Sequence, residues 1–482
     1  MPSASEPPSA AVDTTYTDRL SRYAAGFAYE QLPREAVAQA KVIMLDTIGA
    51  ILAGSLPRFG GSRHTGDLAK MLGGVPEPPP ASGYPAPEAC TVIGRGFKTN
   101  VANAALANGT MGYAADVEGG GVWRQHLAAV AVPVALTVGE RQHADGRKLI
   151  AALALGYDVA ARIDRAADPK THYPHSFHPS AVFGHFAAAA VAGHYLGLDQ
   201  AQFANALGLA GINAGGLIAW VDDPTEDSRP YVIGMAAHCG VISALLAKMG
   251  MGGPLGIVDR NKYSIYDAFS GEMEPALEEA TADLGELFWI TRAHGFKRHA
   301  CCGDIHSGID GLIRIVTEHD LRPEDIAEVV HHTHPARAKV IDDNPLKSHN
   351  AQYVMAVVAV HREVPPDAIV VDYRETDPRV RSMAERTRMI GDIADPELGP
   401  GAAIVDVRTR DGRSFREKVA RWRGHQENPL TQAEIEEKFF RLATMRISRD
   451  AAERVKGICD ELEKLDDVAR LMELLAVPEE GD

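Results

Sequence analysis

The stretch AVFGHFAAAAVAGHYLGL, residues 181–198, decides which kind of fold this chain adopts. Its density of alanine and glycine indicates a helix that is buried on several faces and packs closely against its neighbours. Other segments of the first half share this texture, namely PREAVAQAKVIMLDTIGAILAGS (33–55), GRKLIAALALGYDVAARID (146–164) and DQAQFANALGLAGINAGGL (199–217). The sequence therefore predicts a large all-helical domain.

The pattern of apolar residues changes from helical to strand-like near residue 290. Three segments alternate like strands, with a hairpin turn signal at Asp411-Gly412 in the last: IAEVVHHTHP (326–335), AIVVDYRE (368–375) and AAIVDVRTRDGRSFREKVA (402–420). Helical patterns lie among them, and amphipathic helical patterns return after Pro429. We predict a mainly α fold with an α+β insert, divided into a disordered N-terminus (1–15), the first part of a helical domain (16–290), a smaller α+β domain (291–425) and the C-terminal part of the helical domain (426–482).

The composition narrows the class of protein. A chain of 482 residues favours two domains, and 49 Lys and Arg against 65 Asp and Glu give a net charge of −16. This balance argues against nucleic-acid binding, which needs a basic face for phosphates. The five cysteines suit reduced thiols, and the apolar run from Leu127 to Val138 is too short to span a membrane. The residues before Arg19 contain no basic residue and no apolar run, so we expect no targeting signal in them. We expect a cytoplasmic protein without membrane contacts.

Several segments resemble known binding or redox motifs but lack a feature that the motif requires. GRGFKT (94–99) lacks the spacing of a phosphate loop, and GLAGINAGG (208–216) has no preceding strand for a dinucleotide site. The adjacent Cys301 and Cys302 are no Cys-x-x-Cys motif, so we expect structural thiols, with a nucleophilic cysteine as the alternative. The strand-like VVHHTHP offers three histidines that cannot all face one metal ion and that we expect to be solvated: His331, His332 and His334.

Polar residues at predicted helix ends form a more promising set. Asp116 and His126 flank the glycine-rich loop ADVEGGGVWRQH (115–126), and an acid beside an imidazole suits proton transfer. His178 and Arg229 each precede a predicted helix, and Lys297 and Arg298 follow the change of texture. Taken singly, each is explained equally well as a helix cap or a solvated charge. Together they would build a site for a small polycarboxylate.

These residues lie in stretches that resemble the MmgE/PrpD family, whose members include 2-methylcitrate dehydratase, cis-aconitate decarboxylase and iminodisuccinate epimerase. The matching stretches are ALANGTMGYAADVEGGG (105–121) with HLAAVAVPVALTVGE (126–140), the regions 176–211 and 229–254, FKRHACCGDIHSGID (296–310), SHNAQYVMAVVAV (348–360), and VRTRDGRSF (407–415) with NPLTQAEIEEKF (428–439). The resemblance implies a helical domain from both chain ends, a lid domain, an active site between them, a homodimer, and no metal or organic cofactor.

The resemblance also carries over individual residues. Asp116 falls on the first acidic position of an Asp-Phe-Asp-Asp-Thr-like motif, and the other matches are the histidines His126 and His178, the lid lysine Lys297 and the tyrosine Tyr353. Four positions depart from the pattern. Gly120 replaces a threonine, Arg229 a lysine, Val232 a histidine, and Cys302 a histidine of decarboxylase-like members.

The resemblance implies chemistry at a carbon next to a carboxylate. We expect a cofactor-independent lyase of the hydratase/dehydratase type, in which His126, oriented by Asp116, is the first general acid or base and His178 the second. Arg229, Lys297 and Arg298 would bind substrate carboxylates, with Cys302 and Tyr353 beside them. The alternatives are an epimerase of an amino- or imino-dicarboxylate, then a cis-aconitate-type decarboxylase, then a non-catalytic metabolite-binding member.

Overall fold

A computed structural model describes residues 15–73, 89–121, 125–167, 176–259, 263–269, 276–293, 295–395, 397–399 and 401–477. Apart from Thr15, the N-terminus predicted to be disordered lies outside these residues. The first half is helical: α1 (Tyr16–Ala25), α2 (Arg34–Gly54), α3 (Gly60–Leu72), α4 (Val101–Ala114), α5 (Ala128–Arg141), α6 (Gly146–Ala166), α7 (Pro179–Leu196), α8 (Gln200–Asn213), α9 (Ser228–Lys248), α10 (Ile265–Phe269) and α11 (Leu277–Thr281). Two short strands, β1 (Cys90–Thr91) and β2 (Lys98–Thr99), pair antiparallel between α3 and α4.

The alanine-rich helix α7 lies at the centre of this half, against α5, α6 and α9. Its close packing depends on small residues, because a Cβ atom added at Gly240 of α9 would lie 2.3 Å from the Cβ of Ala188. All of α7 from Pro179 to Gly193 is buried. The texture of residues 181–198 therefore produces the close helix packing that it predicts.

The second half contains α12 (His306–Glu318), β3 (Ile326–Thr333), α13 (Pro335–Ile341), α14 (Ala351–His361), α15 (Tyr373–Thr376), α16 (Pro378–Ala384), β4 (Thr387–Gly391), β5 (Ala403–Thr409) and β6 (Ser414–Val419). These strands form one sheet in the order β4-β3-β5-β6, in which only β3 and β4 are parallel. A second buried core, separate from that of the first half, joins α12, α14 and the sheet. We call residues 297–425 the lid.

Two predictions about the lid were wrong. Residues 368–375 form no strand, because the side chain of Asp372 caps the short helix α15 and the buried Ala368 and Ile369 do not alternate with polar residues. The histidines of β3 are not all solvated, because His331 is fully buried between β4 and β5 whereas His332 is partly exposed. The strand β4 had no counterpart in the sequence pattern.

The chain returns to the helical part through α17 (Gln432–Ala443), α18 (Arg449–Asp460) and α19 (Val468–Leu475). Side chains such as Phe439 and Leu471 lie in the same core as Leu20 and Phe186. A buried ion pair of 2.5 Å between Lys438 of α17 and Asp46 of α2 also joins the two chain ends. The predicted class, mainly α with an α+β part, is confirmed. The boundaries predicted at residues 290 and 425 stay predictions.

Among the described residues, two helices have the length and apolar composition that a membrane span requires, α2 and α9. Within the protein, 72% of the apolar window of α2 and 56% of that of α9 are buried. Their apolar side chains are thus largely accounted for by packing in the helical core. The five cysteines form no disulfide.

Candidate functional site

The loop that follows α4 brings two carboxylates to one buried lysine. Lys297 Nζ lies 2.5 Å from Asp116 Oδ1 and 3.0 Å from Glu118 Oε1, and all three side chains are buried. Asp116 has a positive φ of 50°, which turns its side chain away from the regular path of the helix. The first lid residue is therefore held by the loop of the helical part.

Arg229 approaches the same carboxylate from the first turn of α9. Its Nη1 lies 3.4 Å from Asp116 Oδ1, its Nε lies 3.3 Å from Glu226 Oε2, and its guanidinium stacks 4.6 Å from the ring centroid of Tyr113. Arg229 is completely buried. The planar guanidinium thus bridges two acids, which a lysine would do less well.

Burial and neighbouring charges shift the pKa values of this cluster in opposite directions, and the effect of the charges is larger. Burial alone would raise the pKa of Asp116, but Arg229 and Lys297 hold it well below its usual value. The pKa of Glu118 is lowered in the same way by Lys297 and His126, against the effect of its burial. Burial would lower the pKa of Lys297, yet its two carboxylates raise it. These groups are charged at neutral pH.

The carboxylate that binds His126 is Glu118 and not, as we expected, Asp116. His126 Nδ1 lies 2.7 Å from Glu118 Oε1, and its backbone N–H donates to Ser180 Oγ at 2.8 Å. Asp116 is instead held by Lys297 and Arg229. Because Nδ1 faces the carboxylate, Nε2 is the nitrogen available for proton exchange.

His178 is the N-cap residue of α7, where Pro179 fixes the first turn. Its ring centroid lies 6.3 Å from that of His126 with the planes nearly parallel, and 5.4 Å from that of Trp220. Burial, reinforced by the nearby His126 and Arg229, lowers the pKa of His178 well below its usual value. The structure therefore brings together two imidazoles with different surroundings, one bonded to a carboxylate and one buried and neutral.

The other predicted site residues are Arg298, Tyr353 and Cys302. Arg298 is exposed, and its carbonyl accepts a hydrogen bond from Arg441. The hydroxyl of Tyr353 donates to the carbonyl of Ala368 at 2.6 Å, so it holds a lid loop and does not point into the charged cluster. Cys302 reaches the edge of the cluster through its backbone N–H, which donates to the carbonyl of Ser348 at 2.9 Å.

The departure at Gly120 concerns the backbone as well as a side chain. Gly120 has a φ of 72°, and its carbonyl accepts a hydrogen bond from the hydroxyl of Tyr157 at 2.6 Å. A Cβ atom there would lie 3.1 Å from both the Ile43 side chain and the Tyr157 hydroxyl. A β-branched threonine at this position would therefore require another path of the loop.

The sequence analysis missed four residues of the site: Glu118, Trp220, Glu226 and His349. Glu118 could have been found from the sequence, because it lies two residues after Asp116 in the same loop. Glu226 and His349 gave no local signal, since Glu226 contacts Ser348 across 122 positions of the chain. Trp220 contacts the rings of both His178 and His349.

Several buried polar atoms of this cluster have no hydrogen-bond partner among the described residues. They are two acceptors and one donor: Asp116 Oδ2, Glu118 Oε2 and Trp220 Nε1. Buried polar atoms are normally satisfied, so such a group indicates a place where a polar ligand binds. In the part of the chain that the structure describes, no group of three or more His, Cys, Asp or Glu side chains is arranged to hold a metal ion. A surface groove of about 590 Å³ between α2 and α18 contains none of the site residues.

Models of two known protein domains match this chain. The MmgE/PrpD N-terminal domain matches residues 18–278, and the MmgE/PrpD C-terminal domain matches residues 299–464. The chain is 26% identical to cis-aconitate decarboxylase of Homo sapiens over 392 residues, which cover 78% of this chain and 79% of the relative. It is 24% identical to cis-aconitate decarboxylase of Aspergillus terreus over 488 residues, covering 96% of each. Because the two domain matches together cover most of its length, the chain belongs to the MmgE/PrpD family.

Proposed function

We propose that this protein is a cofactor-independent lyase of the hydratase/dehydratase type that acts on a small di- or tricarboxylate such as a 2-methylcitrate-like acid. The family and its relatives support an enzyme of carboxylate metabolism. The observation that carries the finer proposal is the pair of imidazoles His126 and His178, with ring centroids 6.3 Å apart. Elimination of water needs two proton-transfer groups, one at the carbon and one at the leaving hydroxyl.

The proposed reaction begins at the carbon next to a carboxylate. His126 Nε2 removes its proton, and the electron pair moves into an enediolate whose charge rests on the carboxylate oxygens. Arg229 and Lys297 stabilise this charge, because both are buried where water screens little. The pair then forms the carbon–carbon double bond while the carbon–oxygen bond breaks.

His178 gives a proton to the leaving hydroxyl, which departs as water. In the free site burial lowers the pKa of His178. An anionic substrate brings negative charge next to the ring and raises that pKa, so the imidazole becomes a proton donor only when the site is filled. Hydration follows the same steps in reverse.

Decarboxylation is the second candidate, and the relatives favour it, because those of Homo sapiens and Aspergillus terreus carry the name cis-aconitate decarboxylase. In this reaction a carbon–carbon bond breaks, CO2 leaves, and one imidazole protonates the carbanion. The cationic residues would serve the same purpose. The two candidates differ in the bond that breaks and in the product.

Proton NMR in D2O tests the proposal with 2-methylcitrate, citrate, cis-aconitate and iminodisuccinate as substrates. A new vinyl signal from a hydroxy acid, or hydration of an unsaturated acid, supports the dehydratase. Loss of CO2 from cis-aconitate supports the decarboxylase instead, and deuterium uptake without elimination supports an epimerase. His126→Gln is the matched control and should abolish whichever signal appears.

The oligomeric state is part of the proposal. We propose a homodimer formed through the large apolar side chains that α8, α9 and the segments next to them leave exposed, among them Ile212, Leu217, Tyr231 and Met249. Clusters of exposed apolar residues commonly mark such contacts. Light scattering after size exclusion should give twice the mass of 51.7 kDa, and Ile212→Glu should shift it to the monomer.

A further inference from the structure

A short lid segment before α14 brings Ser348 and His349 to the site. The backbone N–H and the hydroxyl of Ser348 donate to the two oxygens of Glu226 at 2.8 and 2.9 Å. The ring of His349 lies 5.5 Å from that of Trp220, the same indole that contacts His178. His349 is only 6% exposed. The mechanism proposed above uses neither Ser348 nor His349.

The hydrogen bonds of this segment determine which nitrogen of His349 carries the proton. Glu226 Oε2 accepts from Ser348 Oγ at 2.9 Å and from Arg229 Nε at 3.3 Å. Burial raises the pKa of Glu226, whereas Arg229 and the hydrogen bonds from Ser348 act against that rise and favour the carboxylate. Ser348 Oγ also lies 2.8 Å from His349 Nδ1. Since the serine has one hydroxyl hydrogen and donates it to Glu226, its oxygen accepts from Nδ1–H. The lone pair of the ring is then on Nε2.

This lone pair remains available. Among the described residues, the hydrogen bond recorded for the His349 ring is the one at Nδ1, and none is recorded at Nε2. Burial lowers the pKa of His349 to about 3, with Arg229, Lys297 and His126 acting in the same direction and Asp116 opposing them. The ring is therefore neutral at pH 7, and Nε2 is an acceptor that cannot donate.

We infer that His349 Nε2 selects hydroxy acids, by accepting a hydrogen bond from the hydroxyl of the bound substrate. Glu226 and Ser348 are the positioning residues that keep the lone pair on Nε2. A carboxylate oxygen at this point would face a second lone pair, and a methylene would leave the buried acceptor unsatisfied. Both are unfavourable, whereas an O–H group fits. The inference rests on the proposed action on a small di- or tricarboxylate and adds that the substrate carries a hydroxyl.

Binding of two nearly identical acids provides the test. Citrate and tricarballylate differ only in the hydroxyl, so titration calorimetry on the full chain isolates its contribution. Malate and succinate form a second pair of this kind. We expect the wild-type protein to bind the hydroxy acid of at least one pair roughly 10-fold more tightly or better than its partner. Equal affinities within both pairs, or binding of neither hydroxy acid, would overturn the inference.

Variants of His349 and Ser348 test whether His349 causes the preference for hydroxy acids. His349→Phe keeps a ring of similar size without a lone pair and should bind both acids of a pair equally, whereas His349→Gln should keep part of the preference. Ser348→Ala removes the hydrogen bond that keeps the proton of His349 on Nδ1. This variant should weaken the preference for hydroxy acids without abolishing binding. His319→Phe is the control, because His319 stacks on Phe415 elsewhere in the lid. An unchanged preference in His349→Phe would also overturn the inference. Binding requires no turnover, so this result is independent of whether the panel of acids reacts.

Discussion

Two lysines are equally buried in this protein, and their pKa values move in opposite directions. Lys438 and Lys297 are each 3% exposed. Burial lowers the pKa of Lys438 although Asp46 is its partner at 2.5 Å, and burial raises the pKa of Asp46. Burial acts on Lys297 too, yet Asp116 and Glu118 raise its pKa.

The difference lies in the number of opposite charges that surround each group. Among the described residues, Asp46 is the carboxylate that forms a hydrogen bond to Lys438, and its attraction, together with the more distant charge of Glu118, does not offset the loss of hydration. Lys297 has two carboxylates, and Arg229 supplies a second positive charge to Asp116. The network around Lys297 thus keeps its charges, whereas burial shifts the Lys438–Asp46 pair towards neutrality. We expect the pair to matter for stability and the network for activity.

The largest effect is expected at the Lys438–Asp46 pair. Lys438→Met leaves Asp46 buried without its partner and should lower the free energy of unfolding by about 3–5 kcal/mol. Urea denaturation followed by circular dichroism measures it. The double variant Asp46→Asn with Lys438→Met should recover most of the loss, since no charge is then left unpaired. A change below about 1 kcal/mol in the single variant would contradict this view of the pair.

In the network, Lys297→Met should lower kcat/KM for a reacting acid about 10³-fold, because charge develops on the substrate carboxylate in the transition state. Lys297→Arg keeps a positive charge and should retain more activity than Lys297→Met. Steady-state kinetics on an acid identified by NMR measures both. Wild-type activity in Lys297→Met would show that the network has no role in the reaction.

Glu118→Gln separates the roles of the two acids. It removes the carboxylate that orients His126 and should lower kcat about 10²-fold. In ¹⁵N-histidine spectra the His126 signal should move in Glu118→Gln and stay close to its position in Asp116→Asn. The opposite pattern would restore Asp116 as the partner of His126.

His331 shows what burial does without any opposite charge. Burial lowers its pKa to about 4, and the described residues give neither ring nitrogen a hydrogen-bond partner. Its contribution to stability is complete above pH 6.5, where the unfolded histidine is also neutral, and is lost as the pH falls towards 4. At pH 5 the loss amounts to about 2 kcal/mol.

His331→Leu should therefore reduce the loss of stability between pH 7.5 and pH 5 by about that amount. Thermal or urea unfolding at the two pH values measures the difference. His64→Leu is the control, because 63% of the His64 side chain is exposed whereas His331 is buried. An unchanged pH dependence in His331→Leu would mean that this ring is not neutral in the folded state.

The sequence predicted the parts of the fold that depend on local pattern. The alanine-rich α7, the hairpin at Asp411-Gly412 and the return of helices after Pro429 all follow from residue types within one segment. The predictions that were wrong concern segments whose conformation depends on tertiary contacts. Residues 368–375 have strand-forming side chains, but the cap at Asp372 and burial of Ile369 decide their conformation.

In the site, too, the residue types could be predicted from local sequence, whereas the contacts between them could not. Asp116 and Lys297 stand out in their own segments, but that they meet is a contact across 181 positions. The choice between Asp116 and Glu118 as the partner of His126 depends on a backbone φ of 50°, which the residue types do not reveal. His349 became visible only through the serine and glutamate that bind it.

The shared helical core has a consequence for the order in which the protein is made. Its side chains come from both chain ends, up to Phe296 and again from Ile435 to Leu475, whereas the lid core comes from the segment in between. A ribosome adding about 5–20 residues per second needs roughly 10–30 s to synthesise that segment. During this interval the first helices have an uncovered apolar face, and the lid can complete its own core before theirs is closed. The last part of the chain to emerge, including α17 with Lys438, closes the first core to have begun.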